Sequence, residues 1–302
     1  MNDWKLAHGF YTATLTPLKD DLQIDNKKLI DHCTYLLECG CDGIVLMGTT
    51  GEANSFSVAE RQDALDRVIS AGIPAQKLLV GTGCCALPDS LNLTRHALSK
   101  GVGGVLMLPP FYYKNVSVDG LFYSFERIIN EINDPLLEIY LYHFPQMSSM
   151  PIEFKLIEKL LNHFPDHIAG IKDSGGDWQN MLGMHEKFSN FRVFAGTEKL
   201  LTNVKKNGLA GCISASTNIS SKVAAKLFHE NENQKTLQNK LNNLRDIVSS
   251  YPMISALKMV LARHLAQPEW LNMRPPHLPL KKEAADKLFD ELEVVGFPEE
   301  FL

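Results

Sequence analysis

The chain has 302 residues, 45% hydrophobic and 22% charged, with a formal net charge of −5. This composition fits a globular fold with ample core. The charge gives no bulk attraction to nucleic acid or anionic membrane, and no apolar run is long enough to span a bilayer.

In chain order, Tyr11–Thr16 reads as a first strand. Asn26–Cys39 reads as a helix, with Leu29, Ile30, Cys33, Leu36 and Leu37 at helical spacing and Gly40 as its stop. Strand Gly43–Met47 leads to a helix over Ser57–Ser70, opened by a Ser57-x-x-Glu60 capping box and closed near Gly72. Strands Leu78–Thr82 and Gly104–Leu108 come next, then a helix over Leu121–Ile132, a strand over Glu138–Tyr142 and a helix over Ile152–Leu161. The last strands are Ile168–Lys172, Arg192–Ala195 and Ala210–Ser214, separated by helices Met181–Phe188 and Leu200–Lys206. After about residue 222 only helices are expected: Val223–Phe228, Gln234–Ser249, Ile254–Leu265 and, past Arg274-Pro275-Pro276, about Lys281 to Val294.

Strands alternating with helices pair in parallel through crossovers, and eight of them favour closure into a barrel. An open doubly wound sheet would be expected to carry a nucleotide fingerprint after its first strand. Leu15-Thr16-Pro17-Leu18 has no GxGxxG there. The expected fold is therefore α/β: a (β/α)8 TIM barrel over residues 1–222, with a C-terminal helical region over 223–302.

Met1-Asn2-Asp3-Trp4-Lys5 shows no basic head followed by an apolar signal segment, so the cytoplasm is the expected location. The six cysteines, Cys33, Cys39, Cys41, Cys84, Cys85 and Cys212, form no CxxC pair. Free thiols are expected, and no metal site.

Active sites of parallel barrels lie at the C-terminal strand ends. Lys172 ends the apolar run Ile168-Ala169-Gly170-Ile171. Burial disfavours the ammonium form of a lysine, and an amine freed in this way is a nucleophile toward carbonyls. Gly48-Thr49-Thr50-Gly51 offers hydroxyls and open backbone N–H groups, suited to a carboxylate or simply to a tight turn with a helix cap. The GxxxxGK[ST] pattern of a phosphate loop is absent. Tyr142 at a strand end is either a satisfied core tyrosine or a proton relay, which Tyr113 could join. Glu198 and His143 also stand at strand ends, His143 with a structural role expected. A lysine, a tyrosine and a hydroxyl-rich loop on one rim suggest a 2-oxo acid: the amine takes the ketone, the threonines hold the carboxylate and the phenol moves protons.

These segments, with Gly9-Phe10-Tyr11-Thr12-Ala13-Thr14-Leu15-Thr16-Pro17, Pro109-Pro110-Phe111-Tyr112-Tyr113, Tyr142-His143-Phe144-Pro145 and Gly170-Ile171-Lys172-Asp173-Ser174, resemble the N-acetylneuraminate lyase and dihydrodipicolinate synthase superfamily over nearly the whole chain. The resemblance implies a Schiff-base lysine at Lys172, a proton-transferring tyrosine at Tyr142, and carboxylate ligands at Thr49, Thr50 and Gly51, with Thr50 also in the relay. It implies that Tyr113 completes the relay across a dimer interface, that Ile213 packs near the imine, and that the protein is a homotetramer built as a dimer of dimers. Gly196, Glu198 and Met147 fall where the rest of the substrate is expected. No cofactor is expected beyond the covalent imine on Lys172.

Three positions depart from relatives. Met147 stands where dihydrodipicolinate synthases place a carboxylate-binding arginine, and methionine cannot supply that fork. Glu198-Lys199 stands where sialic acid lyases carry an acidic pair, and His143 replaces the usual asparagine. The expected activity is class I lyase cleavage of a 4-hydroxy-2-oxo acid or 2-keto-3-deoxy sugar acid to pyruvate and an aldehyde. The alternatives are synthase-type condensation, sugar-acid dehydration and, from another class, a non-catalytic 2-oxo-acid-binding protein. The partner is a small-molecule 2-oxo acid rather than nucleic acid or membrane.

Overall fold

The computed structural model describes residues 5–6, 8–299 and 301, so the N-terminal reading of Met1–Trp4 lies outside the described residues. Eight strands close into one parallel barrel in sequential order. They are β1 (Gly9–Ala13), β2 (Gly43–Leu46), β3 (Leu78–Gly81), β4 (Gly104–Met107), β5 (Ile139–His143), β6 (Ile168–Asp173), β7 (Arg192–Ala195) and β8 (Gly211–Ser214). Around them run α1 (Asn26–Glu38), α2 (Val58–Ser70), α3 (Leu87–Ser99), α4 (Val118–Ile132), the single turn α5 (Pro145–Ser148), α6 (Phe154–His163), α7 (Trp178–Lys187) and α8 (Leu201–Asn207). α9 (Ser221–His229) packs on α8 and β1, in the place of an eighth ring helix, and the boundary expected near residue 222 falls at its start. α10 (Gln234–Ser249), α11 (Met253–His264) and α12 (Lys282–Val294) complete the chain. Among the described residues no helix is long and apolar enough to cross a membrane.

Local chemistry explains the element ends. The Ser57–Glu60 capping box opens α2, each side chain taking the other's backbone N–H. Gly208, at φ +72°, closes α8 in the left-handed conformation that glycine adopts without penalty. Most element ends shift by one to three residues from the sequence reading, and β1 moves at both ends. β1 runs Gly9–Ala13 rather than Tyr11–Thr16, because its ladder with β8 begins at Gly9 opposite Gly211. Leu15 then leaves the ladder and donates its N–H to the Asn218 side chain at 3.1 Å. The helix α3 was not expected at all.

The barrel has two apolar layers. Tyr11, Val45, Leu79, Leu106, Tyr140, Phe194 and Ile213 fill the lumen. A larger cluster lies between strands and helices, where Leu29, Leu65, Phe125, Ile157, Val204 and Leu244 meet the outward strand faces. The lumen is a packed plug, so the working surface is the rim above it.

Candidate functional site

A cavity of about 520 Å3 opens on the C-terminal rim. Its wall carries Thr49 and Thr50 after β2, Tyr142 and Phe144 at β5, Lys172 to Ser174 at β6, Gly196 and Thr197 after β7, and Ala215 after β8. The helical extension closes one side with Arg245 from α10, Met253, Ile254 and Ser255 from α11, and His277.

Lys172 is only 5% exposed. Its Nζ sits 4.5 Å from the centroid of the Tyr142 ring, within cation–π range. A slip in strand register makes this pair. Ile139 faces Ile168 but Tyr140 faces Gly170, so Tyr142 is opposite Lys172. Without the extra residue Tyr142 would oppose Ile171, whose side chain points away from the lumen.

Asp173 follows at the rim, fully buried, accepting from Gly175 N–H and Asn180 Nδ2, each at 2.7 Å. Burial pushes its carboxyl above the ordinary range, opposed by His143 and these donors. Burial likewise lowers the His143 imidazole, opposed by Asp173. Ile152 N–H donates to His143 Nδ1 at 3.0 Å, which leaves the neutral ring's proton on Nε2. The partner that sequence could not supply for His143 is thus a backbone amide, a structural one. Gly196 is held to glycine by crowding, since a Cβ there would run into Ser174 Oγ and the Asp173 backbone.

The loop after β2 is wound tightly. Met47 and Glu52 both adopt left-handed backbone angles, with φ of 55° and 57°. Such conformations persist where the surroundings enforce them. Ala53 N–H donates to Gly48 O at 3.2 Å, and Glu52 N–H to Thr49 O at 3.1 Å. Glu52 also forms an ion pair with Lys258 of α11, both side chains without exposure. Lys258 donates further to Asn272 O at 3.0 Å. Burial lowers the Lys258 ammonium and the Glu52 carboxylate opposes that fall. The extension therefore braces the threonine loop directly.

Six of the expected site residues share the cavity wall: Thr49, Thr50, Tyr142, Met147, Lys172 and Gly196. Four do not. Gly51 is turned toward the segment after β1, with its carbonyl taken by Thr16 Oγ1 at 2.8 Å. Ile213 lies in the lumen plug below. Glu198 has no exposure and is engaged by the Ser214 and Ser216 hydroxyls, with Arg245 Nη1 3.7 Å away. Tyr113 is 75% exposed on the loop after β4, its ring edge-on to Tyr112 at 5.3 Å. Sequence reasoning missed Arg245. A signal existed, for Arg245 sits on the stripe Leu241–Leu244–Val248 that buries α10, and an arginine on an apolar stripe must find polar partners. Among the described residues no group of three or more His, Cys, Asp or Glu side chains gathers as a metal site. The six cysteines are free thiols.

A family model described as the dihydrodipicolinate synthetase family matches residues 6–294. An uncharacterized DapA-like lyase of Chloroflexus aurantiacus is 33% identical over 279 residues, covering 91% of this chain and 92% of that protein. A 4-hydroxy-tetrahydrodipicolinate synthase of Methanosarcina barkeri is 28% identical over 299 residues, covering 96% and 99%. Among solved structures, the dihydrodipicolinate synthase of Agrobacterium tumefaciens superposes with a TM-score of 0.89 at 26% identity, covering 96% of this chain and 99% of that one.

Proposed function

We propose that this chain, which belongs to the dihydrodipicolinate synthetase family, is a Schiff-base-forming lyase that cleaves a 4-hydroxy-2-oxo acid or a 2-keto-3-deoxy sugar acid to pyruvate and an aldehyde. One observation carries the reading. A lysine only 5% exposed stands against a tyrosine ring and opens into a cavity walled by two threonines.

In the proposed reaction the neutral Lys172 amine adds to C2, and loss of water leaves a protonated imine. Thr49 and Thr50 hold the C1 carboxylate. Tyr142, relayed through Thr50, removes the proton from the C4 hydroxyl. The C3–C4 bond breaks, its electron pair passes into the imine to give an enamine, and the aldehyde departs. Protonation at C3 and hydrolysis of the imine release pyruvate and restore the amine. The imine is the electron sink, so no separate cofactor enters the scheme. Tyr113, exposed on its own protomer, is proposed to complete the relay in a neighbouring copy within a homotetramer built as a dimer of dimers.

The test is borohydride reduction with pyruvate present, followed by peptide mass analysis. The expected result is a reduced pyruvate adduct on Lys172; an unmodified Lys172 sinks the mechanism. The second reading is condensation, favoured by the synthase names of two relatives above. It uses the same enamine in the opposite direction. Pyruvate release from a panel of 4-hydroxy-2-oxo acids, against pyruvate consumption with aldehydes, separates the two.

A further inference from the structure

The cavity has a second cationic wall that the proposed chemistry does not use. Arg245 reaches it from α10, outside the ring of barrel helices. Its Nη1 is committed, donating to Ser216 Oγ at 2.9 Å and Ser214 Oγ at 3.1 Å, with the buried Glu198 carboxylate 3.7 Å away. An arginine carries five N–H donors in a planar fork. Among the described residues no hydrogen bond occupies Nε or Nη2, and neither is a buried orphan atom. The side-on edge of the guanidinium is therefore open, on a side chain that is 19% exposed and lines the cavity. That edge is the one that takes a carboxylate through two parallel hydrogen bonds.

The fork is also held still. Gln238, two turns earlier on α10, donates to Glu198 O at 3.0 Å and accepts from Thr202 N–H and Oγ1 at 2.9 Å. Lys199 pairs with Asp246 at 2.6 Å. Both ends of this stretch of α10 are thus stitched to the segment after β7, and the two Nη1 hydrogen bonds restrain the guanidinium itself, which reduces the side-chain freedom lost on binding. Strand order places Arg245, bonded at the end of β8, midway around the rim between the threonine loop of β2 and Lys172 on β6. A ligand with its first carboxylate at the threonines and C2 at Lys172 would send its tail past this point. Met147, Met181, Met253 and Ile254 supply apolar wall elsewhere in the same cavity.

We infer that Arg245 is a specificity-determining residue that takes a second anionic group, a carboxylate, at the far end of the ligand, so that the preferred substrates are 2-oxo diacids. This rests on the proposed reading of the cavity as a 2-oxo acid site. The probes are 2-oxoglutarate, 2-oxoadipate and 2-oxopimelate, each against the 2-oxo monoacid of equal chain length, with dissociation constants measured by calorimetry on the full-length protein. The wild type should bind at least one diacid about ten- to a hundredfold more tightly than its monoacid partner, as expected for charge-assisted hydrogen bonds. Arg245→Met should collapse that ratio toward one, and Arg245→Lys, which keeps charge but loses the fork, should leave an intermediate ratio. Equal binding of diacid and monoacid by the wild type overturns the inference even if the variants fail to fold. So does a ratio that survives Arg245→Met. Borohydride trapping of pyruvate on the wild type is run alongside. Loss of that adduct defeats the lyase reading, whereas a normal adduct with no diacid preference defeats only the role of Arg245.

Discussion

At the scale of single residues, the proposed chemistry divides between Lys172 and Tyr142, and the division can be measured. Tyr142 is 4% exposed and presents its ring to Lys172 Nζ. Tyr142→Phe keeps the ring and removes only the phenol. Turnover of a 4-hydroxy-2-oxo acid should fall roughly 10²–10⁴-fold, the usual worth of a positioned acid–base group. The borohydride adduct with pyruvate should still form on long incubation, because the amine is untouched. Unchanged turnover in steady-state assays would remove the tyrosine from the mechanism. Lys172 was legible in the sequence because an apolar strand ending in lysine is itself unusual. Its neighbour was less so: strand spacing alone would set Tyr142 against Ile171, and only the slip after Ile139 brings the phenol to the amine. A register shift leaves no mark in composition or periodicity.

At the scale of elements, the helical extension is part of the site. Lys258 of α11 and Glu52 beside the threonines are a fully buried pair, and the next turns of the extension grip the same loop. Arg274 donates to Ser55 O at 2.7 Å and to Leu22 O at 3.1 Å. Removing one partner of a buried pair strands the other charge, which costs roughly 3–5 kcal/mol. Lys258→Met should therefore destabilise the fold by about that much in urea titrations. The double variant Lys258→Met, Glu52→Leu should recover part of the loss, since no orphan charge remains. If the double variant is no more stable than the single, stranded charge is not the cause. The pair was invisible in the sequence because nothing local links a lysine on a late helix to a glutamate after the second strand. α3 was missed for a local reason: its N-cap position is Ala86, which has no side chain to cap the first turn, so only Pro88 in that turn marked the start. α2, with its capping box, was read to within one residue, Ser57 being its N-cap.

At the scale of the whole molecule, closure of eight strands sets the threonine loop of β2 across the mouth from Lys172 on β6. The strand count was enough to anticipate that juxtaposition, because a closed ring of eight places its second and sixth members on opposite sides. What one chain does not assemble is the place of Tyr113, which stands outside the cavity beside Tyr112, the two rings 75% and 73% exposed. Paired exposed aromatics of this kind would suit a contact with a second copy of the chain. If Tyr113 enters the site of a second copy across a two-fold interface, each site draws residues from two protomers. Tyr113→Phe and Lys172→Ala should then each be impaired as pure oligomers. Mixed oligomers should regain pyruvate release, because a Tyr113→Phe protomer keeps its own Lys172 and receives an intact Tyr113 from its Lys172→Ala neighbour. Co-expression with two different affinity tags and sequential purification isolates the mixed species. Mixed oligomers no more active than the better parent would confine the site to one chain, and Tyr113 would then act only as surface.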